Sequence, residues 1–168
     1  MEKWDVLDQN GEKTGETLTR GKQLYSGQFH LVVHVWFWDG IRLLIQKRSL
    51  RCEIMPGVWA CTSGSVMAGE SSRSAALREV KEELGIALAE NDLCFIHRFR
   101  RKNSFVDLFL VHRSFDSSQC ALQDDEVEEI RWVSIDTLNS MILDSKFHNY
   151  GQEYFRCLFF YLKDNASA

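Results

Sequence analysis

Apolar and polar residues along the chain switch between a strand-like and a helix-like period. His30 to Trp38 is a run of Val and aromatic side chains interrupted by His34, which predicts a buried strand. Asp39-Gly40 turns the chain into Ile41 to Gln46, so these two runs predict a hairpin. A hairpin is also expected at Trp4 to Thr19, around Gln9-Asn10-Gly11, where Asn-Gly supplies the positive φ angles of a tight turn. Leu93 to Phe99 and Phe105 to His112 flank the basic turn Arg100 to Ser104 and predict a third. Pro56-Gly57 breaks the chain ahead of a short strand at Val58 to Thr62. Helical spacing occurs over Ser72 to Leu84, with Ser71 or Ser72 as N-cap and Gly85 at the left-handed C-terminal position. Shorter helices are expected after Ser134, with Ile135, Leu138 and Met141 on one face, and from about Gly151 to Leu162. The whole predicts an α+β chain, a mixed sheet covered by helices.

Composition narrows the class. The 168 residues are 45% apolar and 26% charged with a single proline, enough for one core-bearing domain over 1–168 and unlike a disordered or low-complexity chain. No stretch approaches the ~20 apolar residues that span a bilayer. Met-Glu-Lys-Trp-Asp carries mixed charge with no apolar run behind it, so no secretory signal and a cytoplasmic location are expected. Five cysteines without a CxxC pair read as reduced thiols rather than a zinc knuckle or a disulfide framework. A net charge of −4 disfavours nonspecific nucleic-acid binding and leaves room for a metal-dependent enzyme acting on small anions.

The helix at Ser72 to Leu84 carries the chemistry. Ala76, Leu77, Val80 and Leu84 share one sector, while Glu79, Glu82 and Glu83 share the adjoining one. Like charges at such spacing cost a few tenths of a kcal/mol per pair, so a compensating cation is the natural explanation. Mg²⁺ or Mn²⁺ prefers carboxylate oxygen. The competing reading is a solvated face neutralised by Arg78 and Lys81. The wider spacing decides between them: Gly64, five residues, Glu70, seven residues, then Arg78-Glu79-Val80-Lys81-Glu82-Glu83-Leu84-Gly85-Ile86. Residues 64–86 resemble the Nudix box, GX5EX7REUXEEXGU with U aliphatic, at every defined position.

The resemblance implies a Nudix-type α/β/α sandwich with an N-terminal β-hairpin over about residues 1–20. It implies Mg²⁺-dependent hydrolysis of a small organic diphosphate, with Mn²⁺ as a substitute. By the same resemblance Glu79, Glu82 and Glu83 are metal ligands, and Glu82 or Glu83 activates water. Arg78 orients a carboxylate through a bidentate pair, and Gly64, Glu70 and Gly85 shape the loop and helix ends. A further base or ligand is expected outside the box in the acidic run Asp124 to Glu129. Glu126, just before the next strand, is the candidate there, and a solvated loop is the alternative. Arg48 and His30 are candidate substrate contacts, against a surface strand end and a half-buried histidine bonded to backbone. Trp36, Trp38 and Trp59 are expected in the core or on a sheet face.

The flanking segments also look like isopentenyl-diphosphate isomerases, with which the chain shares His30, Gln46-Lys47-Arg48 and Pro56-Gly57-Val58-Trp59. Those enzymes need a Cys just before the first box glycine, a His just after it and a second metal-binding His. This chain has Ser63, Ser65 and Gln23 at those places, and Cys61 stands two residues away from the first. A pyrophosphohydrolase is therefore expected, with an isomerase or a nucleotide-binding module without turnover as alternatives. The downstream Pro of ADP-ribose hydrolases and the Tyr of dinucleoside polyphosphate hydrolases are both missing. The leaving group, and the choice between monomer and homodimer, stay open.

Overall fold

The computed structural model describes residues 1–165. In chain order they form β1 (Lys3–Leu7), β2 (Lys13–Thr19), β3 (His30–Trp38), β4 (Leu43–Arg48), β5 (Trp59–Ala60), β6 (Thr62–Ser65), α1 (Ser72–Leu84), β7 (Cys94–Arg100), β8 (Ser104–His112), β9 (Val127–Val133), α2 (Ile135–Leu143) and α3 (Gln152–Asn165). β1 and β2 make a separate two-stranded sheet, and the main sheet runs β5-β4-β3-β8-β7 with β6 on β3 and β9 on β4.

β3 organises both layers because its side chains alternate between them. Val33, Val35 and Phe37 pack with Ala75, Ala76, Val80 and Leu84 of α1. Trp36 and Trp38 pack on the other face with Leu138 of α2 and with Tyr154 and Leu158 of α3. One helix covers one face and two cover the other, the expected α/β/α layering. β8 lies parallel to β3 along its full length, from His30↔Ser104 to Trp38↔His112, while the remaining pairings are antiparallel.

Four local expectations change. The β3–β4 hairpin closes through a single pair, Trp38↔Leu43, because β6 takes the same edge of β3 over Val32 to Val35. β4 then diverges to pair with β5 and β9. The strand expected at Val58 to Thr62 is two, with Cys61 between them. At the N-terminal turn only Gly11 has positive φ, at 81°, so the turn is not the tight form expected for Asn-Gly. It is a wider loop in which the Asp8 carboxylate accepts from the N–H groups of Asn10 (2.8 Å) and Glu12 (3.0 Å). The acidic run is not all loop: Val127, Glu128 and Glu129 begin β9, with Val127 and Val133 buried and Glu128 and Arg131 exposed.

α1 begins and ends as its sequence dictates. Ser71 caps it, with Oγ accepting from Ser74 N–H at 3.1 Å. Gly85 ends it at φ 71°, and a Cβ there would also stand 2.8 Å from Ala121 Cβ. The five cysteines are free thiols. None of the described helices is long and apolar enough to cross a membrane.

Candidate active site

The β6–α1 loop and the carboxylate-bearing side of α1 form one wall of a cavity of about 670 Å³. Gly64, Glu79, Glu82 and Glu83 line that wall, and Glu126 enters from the turn before β9. Arg48 at the end of β4 and His30 at the start of β3 lie on the same cavity. The spacing along the chain and the register of the sheet therefore bring the expected residues together.

Arg78 ties the loop to the helix. Its Nε and Nη2 each donate to Glu70 at 3.0 Å, a bidentate pair, and Nη2 also donates to Ser65 O at 3.0 Å. Nη1 reaches Glu79 Oε1 at 2.6 Å and Glu82 Oε2 at 3.1 Å. Glu70 first, then Glu79, hold the guanidinium above its ordinary range against the effect of burial. Burial pushes the Glu70 carboxyl up, but Arg78 and the Met67 N–H together bring it below its usual value. Gly64 is explained by contact: a Cβ there would lie 2.0 Å from Glu79 Cδ, so any side chain would displace that carboxylate.

Glu83 is the most enclosed of the carboxylates, 4% exposed. Its Oε2 accepts from Gln46 Nε2 at 2.7 Å, and Gln46 Oε1 accepts from Thr62 Oγ1 at 2.8 Å. Burial foremost, with Glu79 and Glu126 adding repulsion, pushes the Glu83 carboxyl up to about 8 against the pull of Gln46 and Arg48. Burial likewise raises Glu79, which Arg78 only partly offsets. Glu82 is the exposed member, with half of its side chain in solvent. Among the described residues no three acidic, imidazole or thiol groups converge closely enough to enclose an ion, since Arg78 holds Glu79 and Glu82 on its own nitrogens.

His30 is half-buried, as expected, but is not bonded to backbone through Nδ1: that atom is buried without a hydrogen-bond partner, and the ring stacks on Trp4 at 4.3 Å. Arg48 Nε donates to Ile54 O at 2.9 Å. Trp36, Trp38 and Trp59 belong to the core. Sequence reasoning overlooked His34, Arg101 and His148, which also line the cavity. The one visible signal was His34 itself, a polar residue inside an apolar run.

His34 and His30 make stability depend on pH. Burial, then Arg101 and His148, lowers the His34 imidazole from 6.5 to about 3; burial, then Arg20, lowers His30 to about 4. A folded pKa below the unfolded one gives stability that is complete above about 6.5 and is lost as pH falls through the folded value. The two imidazoles together outweigh the raised Glu83 carboxyl, which works the other way, so the urea midpoint is expected to drop from pH 6.5 to about 5, before most carboxylates titrate. His34→Gln flattens that segment. Parent and His34→Gln profiles with the same slope there would mean that His34 is not held neutral.

Comparison with known proteins gives a NUDIX domain match over residues 28–156. The chain is 38% identical over 152 residues to an uncharacterized Nudix hydrolase of Listeria innocua, covering 89% of this chain and 90% of that protein. It is 28% identical over 146 residues to an isopentenyl-diphosphate Delta-isomerase of Klebsiella pneumoniae, covering 82% and 78%. Its fold is similar to the crystal structure of DR0079 from Deinococcus radiodurans, with a TM-score of 0.74 at 18% identity over 88% of this chain and 93% of that one.

Proposed function

The chain belongs to the Nudix hydrolase family, and from that premise we propose that it is a Mg²⁺-dependent pyrophosphohydrolase, cleaving the diphosphate linkage of a small organic diphosphate. The observation that carries this reading is the convergence on one cavity of Glu79, Glu82, Glu83 and Glu126 with the Arg48 guanidinium and the His30 ring. The donor set suits a hard divalent cation: it is all oxygen, anionic and gathered on one cavity, and burial, with neighbouring carboxylates adding repulsion, raises Glu79 and Glu83. Glu79, Glu82 and Glu83 would hold the cation, with Glu126 as a further ligand or base. When bound, it supplies positive charge to the phosphoryl oxygens and acidifies water.

The remaining roles belong to the chain's own side chains. Glu82 or Glu83 takes the proton of the attacking water, and Gln46 keeps Glu83 oriented while it does so. Water's oxygen joins one phosphorus as the bridging P–O bond breaks, and the bridging oxygen leaves with the other phosphate. Arg78 acts at a distance from the reacting atoms, bracing the loop through Glu70 and Ser65 O. Arg48 and His30 contact the substrate phosphates. The free thiols support a reducing, cytoplasmic setting.

The isomerase alternative asks for an acidic thiol in the cavity. Cys61 lies in the core, 0% exposed, beside Tyr150 Oη at 3.3 Å, and burial pushes its thiol up to about 12. Ser63 and Ser65 line the cavity in its place. A panel of nucleoside, sugar, coenzyme and isoprenoid diphosphates, incubated with Mg²⁺ or Mn²⁺ and then phosphatase, tests the proposal through phosphate release. Metal-dependent release from at least one class is expected. Tight binding without release would replace the hydrolase by a binding module, and allylic interconversion without release by an isomerase.

A further inference from the structure

The cavity has an end that the carboxylates do not use. Arg101 opens the turn between β7 and β8, where its N–H donates to Ser104 O at 2.7 Å. Its guanidinium carbon lies 5.8 Å from the ring centroids of both Phe99 and Tyr154. Nη2 of that guanidinium is buried and has no hydrogen-bond partner. A buried donor left unmade costs free energy, and so marks the place of an acceptor.

His34 adds a polar ring to the cavity. Tyr154 Oη accepts from Trp36 Nε1 at 2.8 Å and lies 2.8 Å from His34 Nδ1. An indole N–H only donates, and the phenol's own proton has two acceptors in reach, His34 Nδ1 and Cys61 Sγ. In the tautomer that takes the phenol's proton at Nδ1, neutral His34 carries its own on Nε2 and offers that N–H to the cavity the ring lines. His148 lines the same end, its ring 4.8 Å from that of Tyr150. The charge of Arg101 bears on both imidazoles, and Arg48 on His148.

We propose that Arg101, His34 and His148 form a subsite for the terminal phosphoryl group of the substrate, so that the preferred substrates are diphosphates esterified at one end only. This rests on the reading of the chain as a diphosphate hydrolase. The packing supports it: the buried Tyr150 ring stands 4.6 Å from that of His34 and 4.8 Å from that of His148, and Tyr154 stands 5.5 Å from His34, so packed rings back these side chains and suit a compact phosphoryl group. The organic group has room beside the cavity. A groove of about 1520 Å³ adjoins there, sharing Arg20, His30 and Arg48 with the cavity but none of the three donors.

Calorimetry on the full chain with two non-hydrolysable probes tests the subsite: methylenediphosphonate esterified at one end, and the same compound esterified at both. The parent is expected to bind the first about 10- to 100-fold more tightly, the scale of one charged hydrogen bond. Arg101→Gln removes that preference and Arg101→Lys restores part of it. The His34 and His148 ring resonances of the parent shift on saturation with the first probe, a readout that needs no variant to fold. Equal affinities, or unmoved resonances at saturation, overturn the subsite. Equal affinities in a protein that hydrolyses diphosphates leave the hydrolase reading standing. The preference in a protein that hydrolyses none keeps the subsite and overturns the hydrolase.

Discussion

Glu83→Gln is expected to lower turnover by at least about 10²-fold without loss of fold, the scale of removing a metal ligand or catalytic base. The substitution is nearly isosteric, and its amide oxygen still accepts from Gln46 Nε2 in place of the carboxylate oxygen that does so at 2.7 Å. What disappears is the negative charge. That charge is unfavourable in the metal-free protein, because burial pushes the Glu83 carboxyl from 4.5 up to about 8. The folded state therefore holds this proton more tightly than the unfolded state, and the contribution of Glu83 to stability falls as pH rises from 4.5 to about 8. In chelator at pH 8, Glu83→Gln is accordingly expected to melt above the parent while its activity collapses. Glu82→Gln should lose activity on a similar scale with little change in melting, since Glu82 is exposed. Near-normal turnover in both variants would remove these carboxylates from the chemistry. A lowered melting temperature in Glu83→Gln would instead assign the loss to damaged structure.

Tyr154→Phe is expected to destabilise the protein by about 2 to 4 kcal/mol, from two buried polar groups left unpaired. Tyr154 is 1% exposed, and its hydroxyl serves both Trp36 Nε1 and His34 Nδ1. Trp36 is fully buried, so its indole N–H has no access to bulk water once the hydroxyl is gone. The ring itself survives in Phe, so the contact with Phe99 at 5.1 Å is retained and the measured cost isolates the hydrogen bonds. Urea titration of parent and variant gives the difference. A cost below about 0.5 kcal/mol would mean that water enters to replace the hydroxyl.

The elements legible in the sequence were those whose cause is local. β3 runs over the residues its apolar pattern marks, and α1 lies between the Ser71 cap and Gly85 because capping chemistry is written in adjacent residues. The box spacing brought Glu79, Glu82 and Glu83 to one cavity, and Glu126 with them. Less legible were features fixed by distant partners. The loss of most β3–β4 pairing reflects competition from β6 for the same edge, and the parallel β3–β8 register joins residues with no local signature. β9 was expected as the strand after Glu126, but the charges of Glu128 and Glu129 hid that it begins inside the acidic run. Arg101 read as one more base in a polar turn. Its significance lies in an unpaired nitrogen, which depends on what the third dimension fails to put beside it.

The central position of β3 also bears on how the molecule is made. β6 and β8 both pair with β3, and α1 lies between them in the chain, so the helix that carries the carboxylates is anchored at both sides to one strand. Pairing β3 with β8 means closing a long loop before its hydrogen bonds reward the closure, which slows the search for the native topology. The wall of the cavity and the Arg101 turn at the start of β8 thus take shape with that closure, and a chain arrested before it would hold neither.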